Sequence, residues 1–266
     1  MTKNLKTKLS LITVLIGTLF LTSLSYAHFL WLNVSDYTPQ IGEEVYISLG
    51  WGHNFPKTPK PPRKALVEKI RLFVIEPNGK IKCLKIKFSK NKPEPVKLRI
   101  ARKGIYLVVA LSKRFVSKTT EGYFYKPKNE LKDKEVLYSK WAETTAIALI
   151  SVGNYKKLNI FSIPGSNFYL LPLINPSILK QGDLLKVKVT FKNKPVSSWI
   201  FVTYAGFSNF KDTYAWTTRS NAKGIAYIKI LKRGPEWLLR AEKITFYPNP
   251  TKADKAVYRC TFTFGF

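Results

Sequence analysis

Alternation with a period of two residues constrains this chain more than any other feature. Leu185, Val187, Val189 and Phe191 alternate with Lys186, Lys188, Thr190 and Lys192, the pattern of a strand with one apolar face and one lysine-coated face. Val45, Ile47, Leu49 and Trp51 point one way while Tyr46, Ser48 and Gly50 point the other. Tyr258, Cys260, Phe262, Phe264 and Phe266 make the inward face of a final strand. Turn signals interrupt such segments at short intervals: Pro77-Asn78-Gly79, Lys103-Gly104, Gln181-Gly182-Asp183 and Asn221-Ala222-Lys223-Gly224. Many short strands separated by turns predict an all-β protein built of sandwiches rather than a wound α/β sheet. Alternation over Lys80 to Phe88 slips phase between Cys83 and Leu84, which suggests a bulge. The segment Glu130 to Ile150 stays open between helix and strand, its end at Ile147 to Val152 reading as strand. Pro56, Pro59, Pro61 and Pro62 make Asn54 to Lys64 an extended loop.

The length of 266 residues, 45% of them apolar, suits two domains with real cores. The pattern breaks around Pro164 to Asn167, after a strand expected at Asn159 to Ile163. The expected organisation is therefore a leader over residues 1–27, a sandwich over 28–164 and a second sandwich over 165–266. The leader is read from Lys3, Lys6 and Lys8, the apolar run Leu9 to Leu24, and the small residues of Ser25-Tyr26-Ala27. Those three parts make a secretory signal peptide with cleavage after Ala27, and hence a soluble periplasmic product. Removing it takes three lysines and no acids from a net charge of +29, leaving +26. Export argues against nucleic acid as the partner of that charge. The lysines read as solvated strand faces, with weak attraction to anionic lipid or glycan as the alternative. Cys83 and Cys260, placed in different domains by this parsing, fit two unpaired, strand-buried thiols better than a bridge, although an exported protein permits one.

The chain has two histidines. Cleavage after Ala27 makes His28 the mature N-terminus, a coincidence expected on the order of one time in a hundred. An N-terminal histidine offers one metal ion its α-amine and a ring nitrogen. His53, in Gly50-Trp51-Gly52-His53-Asn54, could supply a third nitrogen from a neighbouring strand, with Gly50 and Gly52 allowing close backbone approach. Three nitrogens in a T suit Cu(II) or Ni(II). The α-amine, with an ordinary pKa near 8, gives up its proton to a metal near neutral pH at small cost. With both histidines so placed, no HExxH occurs and none is left for a Ser-His-Asp device. The visible acids, Glu43-Glu44, Asp133, Glu135 and Asp212, read as solvated turn residues. No catalytic machinery is expected.

Longer stretches carry a resemblance. They are His28-Phe29-Leu30-Trp31-Leu32 with Gly52-His53, Thr120-Glu121-Gly122-Tyr123-Phe124, Ser139-Lys140-Trp141, Leu179-Lys180-Gln181-Gly182-Asp183, Thr203-Tyr204-Ala205-Gly206-Phe207, Gly234-Pro235-Glu236-Trp237-Leu238-Leu239-Arg240 and Thr261-Phe262-Thr263-Phe264. Together they are similar to an exported bacterial family of unknown function, often described as the periplasmic component of ABC-type cobalt/nickel uptake. The resemblance implies tandem Ig-like or prealbumin-like sandwiches, a site mapping onto His28 and His53, and partners among the components of a metal-uptake transporter. The expected function is metal-binding accessory work for nickel or cobalt. A non-catalytic adhesive module, binding protein or glycan through the aromatics between Phe207 and Trp216, is the alternative. A histidine-brace copper protein is the third reading.

Overall fold

The computed structural model describes residues 28–158 and 162–266. The expected leader lies outside the described residues, as does most of the strand expected at 159–163. The architecture is all-β, in three stacked layers. The middle layer is a nine-stranded sheet. Its main path runs β15 (Trp216–Arg219), β14 (Trp199–Tyr204), β17 (Trp237–Phe246), β18 (Lys255–Phe264), β10 (Val136–Val152), β8 (Gly104–Thr119), β3 (Ile70–Ile75) and β4 (Ile81–Leu84). The short β9 (Gly122–Phe124) adds to the far end of β8. One outer layer is β1 (Phe29–Val34), β2 (Glu44–Gly52) and β7 (Val96–Arg99). The other is β11 (Phe168–Pro172), β12 (Leu184–Phe191), β13 (Lys194–Pro195) and β16 (Ile225–Lys229). A two-stranded ribbon, β5 (Phe88–Ser89) with β6 (Lys92–Pro93), and one short helix, α1 (Lys64–Val67), complete it.

The period of two explains the layering. On β8, Leu107, Val109 and Leu111 join a core shared with β11 and β12, while Tyr106, Val108 and Ala110 join a second core shared with β1 and β2. A strand covered on both faces must be apolar at successive positions, as Ile105 to Leu111 and Ala146 to Ile150 are. The segment left open between helix and strand is thus a single strand, β10, preceded by a 3-10 turn at Lys128–Glu130. It pairs antiparallel with β8 and parallel with β18, so strands from either side of residues 164/165 share one sheet.

Two local expectations need correction. The phase slip after Cys83 is a strand end: β4 stops at Leu84 with an unbroken register against β3, and the chain leaves the sheet edge. Cys83 is not a buried thiol. Of that edge strand only Leu84 packs against the core, so Cys83 is exposed, while Cys260 is buried and both are unpaired.

Candidate metal centre

The register of the first hairpin builds the site. Phe29 pairs with Gly52 and Leu30 with Trp51, so the next step outward sets His28 across from His53. The hairpin is fixed from beneath by β18: Thr261 donates its hydroxyl to the Leu30 carbonyl (2.7 Å) and Thr263 to that of Leu32 (2.8 Å). Trp31, fully buried, needs the absent side chain at Gly50, where a Cβ would stand 1.9 Å from the indole Nε1. Gly52 serves differently. Its space is open, but its φ of 145° is strained for any other residue, and there β2 ends and releases the chain into the His53 loop.

The two imidazoles stand with ring centres 4.8 Å apart and planes inclined by 51°; Trp51 stacks on His28 at 5.8 Å. With metal–nitrogen bonds of about 2.0–2.1 Å, two imidazoles at right angles on one ion put their centres roughly 4–5 Å apart, and two in line roughly 6 Å. The observed spacing therefore fits two adjacent ligands of one ion. The line of a T-shaped brace would require the rings to separate by about an ångström or more. An open pocket of about 270 Å³ lies beside them, lined also by Gly52, Pro59, Lys60 and Lys211.

Sequence reasoning missed the third member. Asp212, taken above for a solvated turn residue, sits in the loop between β14 and β15 with its carboxylate oxygens 3.0 and 3.2 Å from His53 Nδ1. A carboxylate can only accept there, so the neutral His53 tautomer this contact favours has its proton on Nδ1 and its lone pair on Nε2, the arrangement typical of a metal-ligating histidine and its carboxylate partner. Asp212 is itself held. Its backbone N–H donates to the His53 carbonyl (3.1 Å), its φ is +51°, and the Tyr214 hydroxyl reaches Oδ1 at 3.5 Å. Arg240 donates to Tyr214 in turn and lies 3.2 Å from the Phe29 ring centre, under the first strand. Asn54 Nδ2 and Lys57 Nζ bond Asn209, fastening this loop to the one that follows His53.

Burial, then the charge of His53 and of Lys211, hold the His28 ring below its ordinary pKa, with Asp212 opposing. That favours the neutral imidazole a metal requires. Among the described residues no set of three His, Cys, Asp or Glu side chains is arranged to hold a metal ion. The side chains present therefore offer two nitrogens and an orienting carboxylate, and a third ligand must come from outside that set. The aromatics between Phe207 and Trp216 lie in the loop of the β14–β15 hairpin, where Phe207 packs on Tyr204 and Tyr214 on Phe201, while Phe210 is 81% exposed on the part that carries Asp212.

Fold and site together define an all-β sandwich protein with a paired-histidine cluster at the end of its first hairpin. More particularly, the chain belongs to DUF4198, a domain of unknown function, whose family model matches residues 25–245. No curated protein matches it in sequence. Among solved structures it is similar to a DUF4785 family protein from Legionella pneumophila (10% identity, TM-score 0.27, covering 88% of this chain and 47% of that one). Trypsin-activated α-2-macroglobulin from Escherichia coli gives 10% identity, a TM-score of 0.26, and coverage of 90% and 16%. Murine CEACAM1b gives 11%, 0.22, 88% and 98%. The chain thus spans about half the length of the first of these and less of the second.

Proposed function

We propose that this protein is an exported, periplasmic metal-binding protein that handles Ni(II) or Co(II), with Cu(II) the other ion its donors suit. The observation that carries the reading is the meeting of its two histidines at 4.8 Å, with Asp212 on the far nitrogen of one. Signal cleavage after Ala27 would add the α-amine of His28, giving three nitrogens to one ion. Cations of this borderline class prefer nitrogen donors, and Asp212 keeps the His53 lone pair on Nε2. The pocket wall of Lys60 and Lys211 opposes a cation, which limits affinity and suits an ion that is passed on rather than stored. The protein acts by binding, not catalysis, and its partners on this reading are components of a metal-uptake system.

Calorimetric titration of the mature chain with Ni(II), Co(II) and Cu(II) tests the proposal. One ion per chain is expected, and His53→Ala should weaken it by at least two orders of magnitude. Equal binding by His53→Ala would remove the reading and favour an adhesive module using the exposed loop around Phe210.

A further inference from the structure

Most of this chain's positive charge lies on scattered strand faces, but one group is gathered. Arg114 on β8, Lys140 on β10, and Lys255 and Arg259 on β18 all stand on one face of the central sheet. Lys140 is registered against Lys255, and Arg114 against Ala142, which in turn faces Val257. Neighbouring strands are about 4.8 Å apart, so the four cationic groups converge within roughly 10–15 Å. Ala142 and Val257, between them on the same face, are buried, so the charges stand over apolar ground. Two carboxylates answer them: Glu242, paired with Arg259 Nε at 2.5 Å, and Asp254, shared between Lys128 and Lys255. The Nε of Arg114 is buried and finds no hydrogen-bond partner among the described residues. A buried guanidinium N–H left unpaired is costly, and a phosphate oxygen is the partner its geometry suits.

The same face then turns apolar and exposed. Phe246, registered against Lys255 at the next strand, is 92% exposed, and Ile244, against Val257, is 52% exposed. A bulky aromatic held out beside four cations adds nothing to the binding of a small free anion, but it suits the headgroup region of a bilayer. The geometry points to this face as a docking surface for an anionic lipid leaflet, with lipid phosphate among Arg114, Lys140 and Arg259 and with Phe246 and Ile244 entering the headgroups. The Lys140 ammonium, pressed first by burial and then by Arg259, Lys255 and Arg114 against the pull of Glu242, is held down to about 8. Lipid phosphate favours its protonated form, so attachment weakens as pH rises above that value. The surface stands independently of the histidine site.

Co-sedimentation of the mature chain with phosphatidylcholine vesicles, with and without roughly a third phosphatidylglycerol, tests it. Binding is expected to the anionic vesicles only. The Arg114→Gln/Lys140→Gln variant should lose about 25-fold in partition, at about fivefold per charge. Phe246→Ser, exposed and harmless to the fold, should lose several-fold at unchanged net charge. A control that removes two charges elsewhere, Lys223→Gln/Lys229→Gln, should lose far less. Equal loss in that control means diffuse charge attraction and overturns the proposal. Unchanged binding by Phe246→Ser, or inorganic phosphate at millimolar concentration displacing the protein from vesicles, makes this a free-anion site and overturns it too.

Discussion

Asp212 is the residue on which the site's chemistry turns. Losing the carboxylate that orients a metal-bound histidine typically costs 10–100-fold in affinity. Asp212→Asn should therefore bind Ni(II) about 10–100-fold more weakly by calorimetry, while its melting temperature stays close to wild type. The histidine pair was legible in the sequence because histidine is so scarce and because His28 follows the expected cleavage position. Asp212 was not, since a turn aspartate 159 positions from His53 looks like any other. The cysteines make a second residue-scale test. Burial pushes the Cys260 thiol up to about 12 and Cys83 is exposed. A disulfide-exchange reagent should titrate one thiol per native chain and two after denaturation. Lys140 makes a third. Its pKa is lower folded (about 8) than unfolded (10.5), so between those values the unfolded chain binds more protons and stability rises with pH. Lys140→Met should flatten that rise in denaturant titrations at pH 8 and 10.

Among the elements, the first hairpin does most to place the site. Alternation in Val45 to Trp51 marked β2, but the register that sets His28 against His53 follows from Trp31 lying over Gly50, a contact no periodicity reveals. Gly50→Ala forces the Trp31 indole aside. The expected cost is about 1–3 kcal/mol by denaturant unfolding, with metal affinity falling in parallel because β1 carries His28. Periodicity failed where a strand is only partly covered. Ile147 to Val152 was readable as strand, but the front of β10, with Glu135 to Glu143 mixing charge and aromatics, was not. There Glu143 is buried and accepts from the Asn167 backbone (2.5 Å) and side chain (2.7 Å) beside Lys113. A buried carboxylate in a strand carries no local signature, because its partners come from the distant 162–167 segment.

At the scale of the whole molecule, the shared middle sheet couples what the sequence pattern divides. The parallel ladder of β10 with β18 and the Tyr37 hydroxyl bond to Glu236 (3.2 Å) join distant halves of the chain. Apolar material on both faces of one sheet should melt with it. Scanning calorimetry of the mature chain should show one transition, its calorimetric enthalpy equal to the van't Hoff value; two resolved transitions would mean the outer layers unfold alone. The all-β class was readable from alternation because β2 and β12 of the outer layers, and the end of β18, obey it. The stacking was not, because which strands neighbour one another depends on contacts far apart in sequence.

The metal reading rests on a nitrogen that only export creates. Ni(II) titration of two otherwise identical chains, one beginning at His28 and one still carrying Ala27 ahead of it, isolates that nitrogen. The chain beginning at His28 should bind one ion, and the extended chain should bind at least a hundredfold more weakly. Equal affinities would contradict a site built from the terminal amine and the paired histidines.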